Sequence, residues 1–131
     1  MKKVSLTFVL LLLVGVKIFP QGFEATNSEE RKVLKLINSL PEVVRENKFR
    51  KKAHYKLFLK AYIQDRPDKT RNYYRVSISE NLGSQLRTYD WYEVNPKTSA
   101  IRYEDMVTGK TISLEAWRRQ LSRKHFGKGS K

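Results

Sequence analysis

The chain has 131 residues, 27 Lys and Arg against 13 Asp and Glu, two His and no Cys. A formal charge of +14 favours anionic partners such as lipid headgroups, acidic glycans, nucleic acid or an acidic protein. The absence of Cys excludes a disulfide framework and a lipid-bearing cysteine.

At the N-terminus, Lys2 and Lys3 precede an apolar run from Val4 to Val16, which Lys17 ends. A bilayer-spanning helix needs roughly 20 apolar residues, so this run is too short to span and suits the apolar region of a signal peptide. Residues 1–25 are therefore expected to be a leader and the protein to be secreted or periplasmic. Pro20, Gly22 and Ala25 match a small-x-small cleavage site only in part, and an uncleaved membrane anchor is the alternative. From residue 23 onward there are 24 basic and 13 acidic residues, about +11. A chain of that length buries one adequate core without disulfides, so residues 26–123 are read as a single domain. The Gly- and Lys-rich residues 124–131 are read as a disordered basic tail.

The first expected helix starts at Asn27-Ser28-Glu29-Glu30. An Asn side chain there caps free backbone N–H groups, Glu30 has the capping-box spacing, and the acidic pair suits the positive end of the helix dipole. Val33, Leu34, Ile37 and Leu40 share one face. Pro41 pushes the residue before it out of helical geometry, which ends the helix near Ser39. Glu42 to Asn47 is expected to add at most a turn.

From His54 the apolar period becomes two. Leu57, Leu59, Ala61 and Ile63 alternate with Lys56, Phe58, Lys60 and Tyr62, as in a strand with one buried face. A turn at 65–69 leads to a second strand with Tyr74, Val76 and Ile78 on one face. Asn81-Leu82-Gly83-Ser84 turns into a third, Gln85 to Val94, rich in aromatic and β-branched residues. Asn95 to Ser99 turns into a fourth, Ala100 to Tyr103. Thr108-Gly109-Lys110 turns again, and Thr111 and Ile112 extend the sheet. Ser113 caps a short last helix, Leu114 to Leu121, with Leu114, Trp117 and Leu121 on one face. Short turns make neighbouring strands antiparallel. The expected fold is α+β, an N-terminal helix packed on a four-stranded antiparallel meander sheet, with a short C-terminal helix. Its expected core includes Leu34, Ile37, Leu57, Leu59, Val76, Ile78 and Trp117.

The stretch Trp91-Tyr92-Glu93-Val94-Asn95-Pro96-Lys97-Thr98, followed by Ile101, resembles the strand-turn-strand of PepSY-type domains, which read W-Y-x-V-D-x-K-T-G-x-I. The longer stretch from Tyr73 to Arg118 is similar to small secreted bacterial proteins with a cystatin-like fold. The resemblance implies a fold more than an activity. Ser99 stands where the PepSY turn has glycine. The Gln-x-Val-x-Gly loop of cystatin inhibitors is missing, so protease inhibition does not carry over.

No catalytic constellation is legible. His54 and His125 sit near opposite ends of the domain, Asp90, Glu104 and Asp105 form no EF-hand loop, and no serine lies in a nucleophile-elbow pattern. Neither a metal nor a cofactor is expected. The anion-binding candidates are Arg50, Lys51, Lys52, Lys56 and Lys60, with Lys56 and Lys60 four apart on one strand face. The partner-binding candidates are Tyr73, Tyr89 and Trp91 of the dense aromatic set on the strands: Tyr73 and Trp91 each adjoin another aromatic residue, and successive strand residues face opposite sides, so one of each pair is expected on the outer face. These features lead to an exported, non-enzymatic interaction module with a basic, aromatic surface for an anionic envelope component or a protein partner. Export argues against nucleic acid as its physiological ligand. The alternative is a PepSY-like accessory or inhibitor of an envelope protease.

Overall fold

The computed structural model describes residues 22–127. The apolar run of the expected leader and the end of the expected tail lie outside the described residues. The elements are α1 (Ser28–Asn38), α2 (Pro41–Lys52), β1 (Lys60–Asp65), β2 (Tyr74–Asn81), β3 (Leu86–Val94), β4 (Ile101–Glu104), β5 (Thr111–Ser113) and α3 (Leu114–Gly127). The five strands form one antiparallel sheet in the order β1-β2-β3-β4-β5. The α+β class and the meander are as expected. The strand count is five instead of four, because Thr111–Ser113 pairs with β4 as a strand of its own.

The start of α1 follows local chemistry. Asn27 is the N-cap, and its Oδ1 accepts from the Glu30 backbone N–H at 2.8 Å. The Glu30 carboxylate reaches back to the backbone N–H and the hydroxyl of Thr26, at 2.8 and 2.9 Å. This is a capping box closed one residue before the cap. Val33, Leu34 and Ile37 are buried against β1 and β2. Ser39 is the C-cap, and Pro41 opens α2 at its first position, where a missing N–H costs nothing.

α2 is the main correction to the sequence reading: a full helix of 12 residues stands in place of the single expected turn. The residues it turns toward the body are Val43, Glu46, Asn47 and Arg50, at i, i+3, i+4 and i+7, and only the first is apolar. Its ties are polar. Asn47 clamps the Leu59 backbone, accepting from its N–H at 2.7 Å and donating to its C=O at 2.9 Å. Arg118 grips Glu42 with two bonds of 2.5 and 3.2 Å. Arg50 lies inward, bonded to Glu46, to the Leu57 carbonyl and to Glu80.

The core lies between the helices and one face of the sheet. It gathers Val33, Leu34, Ile37, Leu40 and Val43 of the helical segment, Ala61, Ile63, Tyr74, Val76 and Ile78 of β1 and β2, and Tyr92, Val94 and Trp117. Leu59 joins it, which agrees with the expected strand phase, but Leu57 is 38% exposed. The reason is that β1 begins only at Lys60, so Leu57 sits in the connection that precedes the pleat. Tyr62, on the opposite face, is buried as well.

The outward edge of β1 is closed. The N–H groups of Leu59, Ala61 and Ile63 donate to Asn47, Asn38 and the Phe23 carbonyl, at 2.7, 2.9 and 2.9 Å. An edge strand whose donors are already taken offers no template for adding a further strand. The opposite edge, β5, is only three residues long. α3 continues to Gly127, six residues beyond the expected end and into the stretch read as tail. No helix among the described residues is long and apolar enough to cross a membrane.

The turns β3–β4 and β4–β5 have the same construction. Asn95 and Asp105 each accept from the backbone N–H groups two and three residues on, and Ser99 and Gly109 each donate back to the residue that opens the turn. Ser99 has φ 59° and Gly109 φ 68°. Ser99 thus takes the left-handed backbone that a glycine at this position adopts without strain.

Candidate functional site

The five anion-binding candidates fall in three places. Arg50 is 4% exposed and committed to carboxylates. Burial acts against its charge, but the bonds it donates to Glu80, Tyr89 and Glu46 outweigh it and hold the guanidinium protonated beyond its ordinary range. In return Glu80 is held below the usual carboxylate range, first by Arg50. Arg50 therefore does not belong to an anion surface. Lys60 lies on the outer sheet face, paired with Glu24 at 3.0 Å and over the Tyr62 ring at 5.7 Å. Lys56 precedes β1, so it shares no strand with Lys60. Lys51, Lys52 and Lys56 remain, all exposed at the C-terminal end of α2 and in the connection beyond it.

The local backbone explains how these three are presented. α2 ends in a Schellman turn: Tyr55 N–H donates to the Arg50 carbonyl at 2.9 Å and His54 N–H to the Lys51 carbonyl at 3.3 Å. His54 holds the left-handed position, φ 60°, that glycine usually occupies. The turn folds Tyr55 back so that its ring lies 5.3 Å from the Arg50 guanidinium and 6.2 Å from the Phe49 ring. Arg45, Lys48 and Lys52 stand at i, i+3 and i+7 along the solvent side of α2, with Lys51 beside them. None of Arg45, Lys48, Lys51, Lys52 or Lys56 forms an ion pair with another described residue. Between these cations, Val44, Phe49, Tyr55, Leu57 and Phe58 are exposed by 38–55%.

The three aromatic candidates do not form one platform. Tyr73 lies before β2 under Arg71, at 5.8 Å. Tyr89 faces the helices under Arg50, at 5.2 Å. Trp91 is on the outer face under Arg75, at 4.0 Å, and Arg75 also grips Glu104 with two bonds of 2.8 Å. Each ring already carries a cation from its own chain. Alternation applies to both adjacent pairs: Tyr74 and Tyr92 are buried, and Tyr73 and Trp91 are half-buried.

Sequence reasoning missed a second feature. A cavity of about 630 Å³ lies between α2, β3 and α3. Two local events create it. The β2–β3 register shifts between Ile78 and Ser79, leaving Tyr89 as the extra residue of a β-bulge, so that Tyr89 and Asp90 both line the helical side. Above them α2 is held by polar ties instead of a packed apolar face, so it stands off the sheet. Val43, Leu59, Ile78 and Leu121 supply apolar wall, and Tyr92 and Trp117 supply aromatic floor. Trp117 stacks on Tyr103 at 4.4 Å and meets Tyr92 edge-on at 6.1 Å.

Three carboxylates line this cavity, Glu42, Glu46 and Asp90, and of these Asp90 has no ion pair with a described residue. It accepts one bond, from the Tyr103 hydroxyl at 3.1 Å. Burial pushes its carboxyl above the ordinary range, and the nearby Glu42 charge adds to that. The described residues contain no group of three or more His, Asp or Glu placed to hold a metal ion. No protein-family model, curated protein or solved structure matches the chain, so what the molecule does must be argued from these two sites.

Proposed function

We propose that this protein is an exported, non-enzymatic interaction module whose α2 end docks on an anionic surface. The observation that carries the reading is the exposed set Lys48, Lys51, Lys52 and Lys56, free of carboxylate partners among the described residues in a fold that pairs most of its arginines. The interleaved apolar side chains favour an anionic lipid headgroup layer: Phe49 and Phe58 supply the buried contact and the lysines the attraction. Secretion or periplasmic location belongs to the same proposal. So does the likeness to cystatin-like and PepSY-like secreted proteins; Ser99, at the position of the motif's glycine, has a left-handed backbone of the kind glycine favours.

The test is co-sedimentation of the protein with phosphatidylglycerol-containing vesicles, with pure phosphatidylcholine vesicles and immobilised heparin alongside. Each lysine near an anionic surface contributes on the order of 1 kcal/mol. Replacing Lys48, Lys51, Lys52 and Lys56 by Gln should therefore weaken vesicle binding by roughly two to three orders of magnitude and flatten its salt dependence. Phe58→Ser should weaken vesicle binding and leave heparin binding unchanged. An equal loss on replacing Lys124, Lys128 and Lys131 instead would mean that net charge alone binds, and the docking surface would be abandoned.

A further inference from the structure

We propose that the cavity beneath α2 is a binding site for a small organic cation with an apolar body, such as an aryl or alkyl ammonium. Around this apolar space every carboxylate but one lies against an arginine. Glu42 is neutralised by Arg118, and Glu46 and Glu80 by Arg50, with Arg87 also on Glu80 at 3.4 Å. Asp90 is different. It has no cationic partner among the described residues, and its one bond comes from a neutral phenol.

A half-buried carboxylate without a counter-ion is costly in an apolar wall. It takes up a proton or a cation, and a ligand that brings the cation removes that cost. The neighbouring walls suit such a ligand. Phe49, Tyr92 and Trp117 line the cavity, and the negative face of an aromatic ring attracts an ammonium group most strongly where water is excluded. The volume of about 630 Å³ lies within the range of small-molecule sites. Arg50 opposes the cation little, because the Glu46 and Glu80 carboxylates lie against its guanidinium and balance its charge. Arg45 lines the same cavity and is exposed, so it is the group that would instead favour a carboxylate ligand.

Benzyltrimethylammonium, its uncharged carbon isostere neopentylbenzene and the anion phenylacetate separate these outcomes, with binding to the full-length chain followed by tryptophan fluorescence and calorimetry. The expected result is tenfold or greater preference for the cation over the isostere, a discrimination of about 1.4 kcal/mol. Asp90→Asn, nearly isosteric and still able to accept from Tyr103, should abolish that preference and leave binding of neopentylbenzene unchanged. Equal binding of cation and isostere by the unmodified protein, preference for phenylacetate, or no binding of any of the three would each overturn the proposal. These comparisons on the unmodified protein decide it even if Asp90→Asn does not fold.

Discussion

On the strands and the β1–β2 connection, Arg66, Arg71, Arg75, Arg87 and Arg102 each lie within 3.9 Å of a carboxylate, whereas Lys48, Lys51, Lys52 and Lys56 around the end of α2 reach none among the described residues. Both regions are basic, yet their charge is used differently. On the sheet, a planar guanidinium bridges strands far apart in sequence: Arg75 of β2 reaches across β3 to Glu104 of β4 with two parallel bonds. At the end of α2, the side chains are compact ammonium groups on flexible stems, solvated and without carboxylate partners among the described residues. Removing a charge from the first region should damage the fold, and removing one from the second should damage only binding. Arg50 marks the boundary. It belongs to α2 by sequence and to the sheet by its bonds.

The largest effect is therefore expected at Arg50. Arg50→Met leaves the buried Glu80 with only the longer Arg87 contact at 3.4 Å and releases the C-terminal half of α2, and breaking a buried pair costs about 3–5 kcal/mol. The double change Arg50→Met with Glu80→Leu should recover much of that loss, because neither charge is then stranded. Urea denaturation measures both. A loss below about 1 kcal/mol for the single change would mean that Asn47 and Glu42 hold α2 alone.

A smaller effect is expected at Glu30, which is 1% exposed and bonded to Arg66 at 2.5 Å. The Arg66 guanidinium and the Thr26 groups hold its carboxyl down, from 4.5 to about 2. A carboxyl whose pKa is lower in the folded state stabilises the fold above its unfolded value and loses that contribution as pH falls from about 4.5 toward 2. Asp90, pushed the other way by burial, contributes with the opposite sign as it protonates. Glu30→Gln should cost roughly 1.5–3 kcal/mol at neutral pH, the scale of bonds to a charged group. It should also flatten the acid limb of the stability–pH curve. An acid limb unchanged in the variant would place the acid sensitivity at Glu42 or Glu80 instead.

The smallest effect on stability is expected from the change that most affects binding. Replacing Lys48, Lys51, Lys52 and Lys56 by Gln should shift the unfolding free energy by less than about 0.5 kcal/mol per site, as for ordinary surface changes. Two small effects oppose each other: removing like charges stabilises, and losing Lys51 and Lys52 from the last turn of α2 weakens the match to the helix dipole. A loss of several kcal/mol would show that these lysines hold the fold, and the contrast between the two regions would collapse.

Local sequence was enough where each residue's role depends on its near neighbours. Asn27 and Glu30 marked the start of α1, Pro41 marked the break after it, and the period-two pattern put Leu59, Ala61, Val76 and Ile78 on the buried side, all as found. The turns at 95–99 and 108–110 were legible because an Asn or Asp side chain builds them from bonds within a few residues. α2 was not legible as a helix because the positions it turns inward hold Glu46, Asn47 and Arg50. Their partners lie up to 30 residues away, and no periodicity of apolar residues could show them. Its polar inner face also left room for the cavity, and the bulge at Tyr89, which exists only in the pairing of β2 with β3, turned Asp90 toward it. Composition by itself determined that the chain is strongly basic. Only the tertiary structure decided which cations are committed to the fold and which stay without a carboxylate among the described residues, because that division depends on where 13 carboxylates come to rest in space.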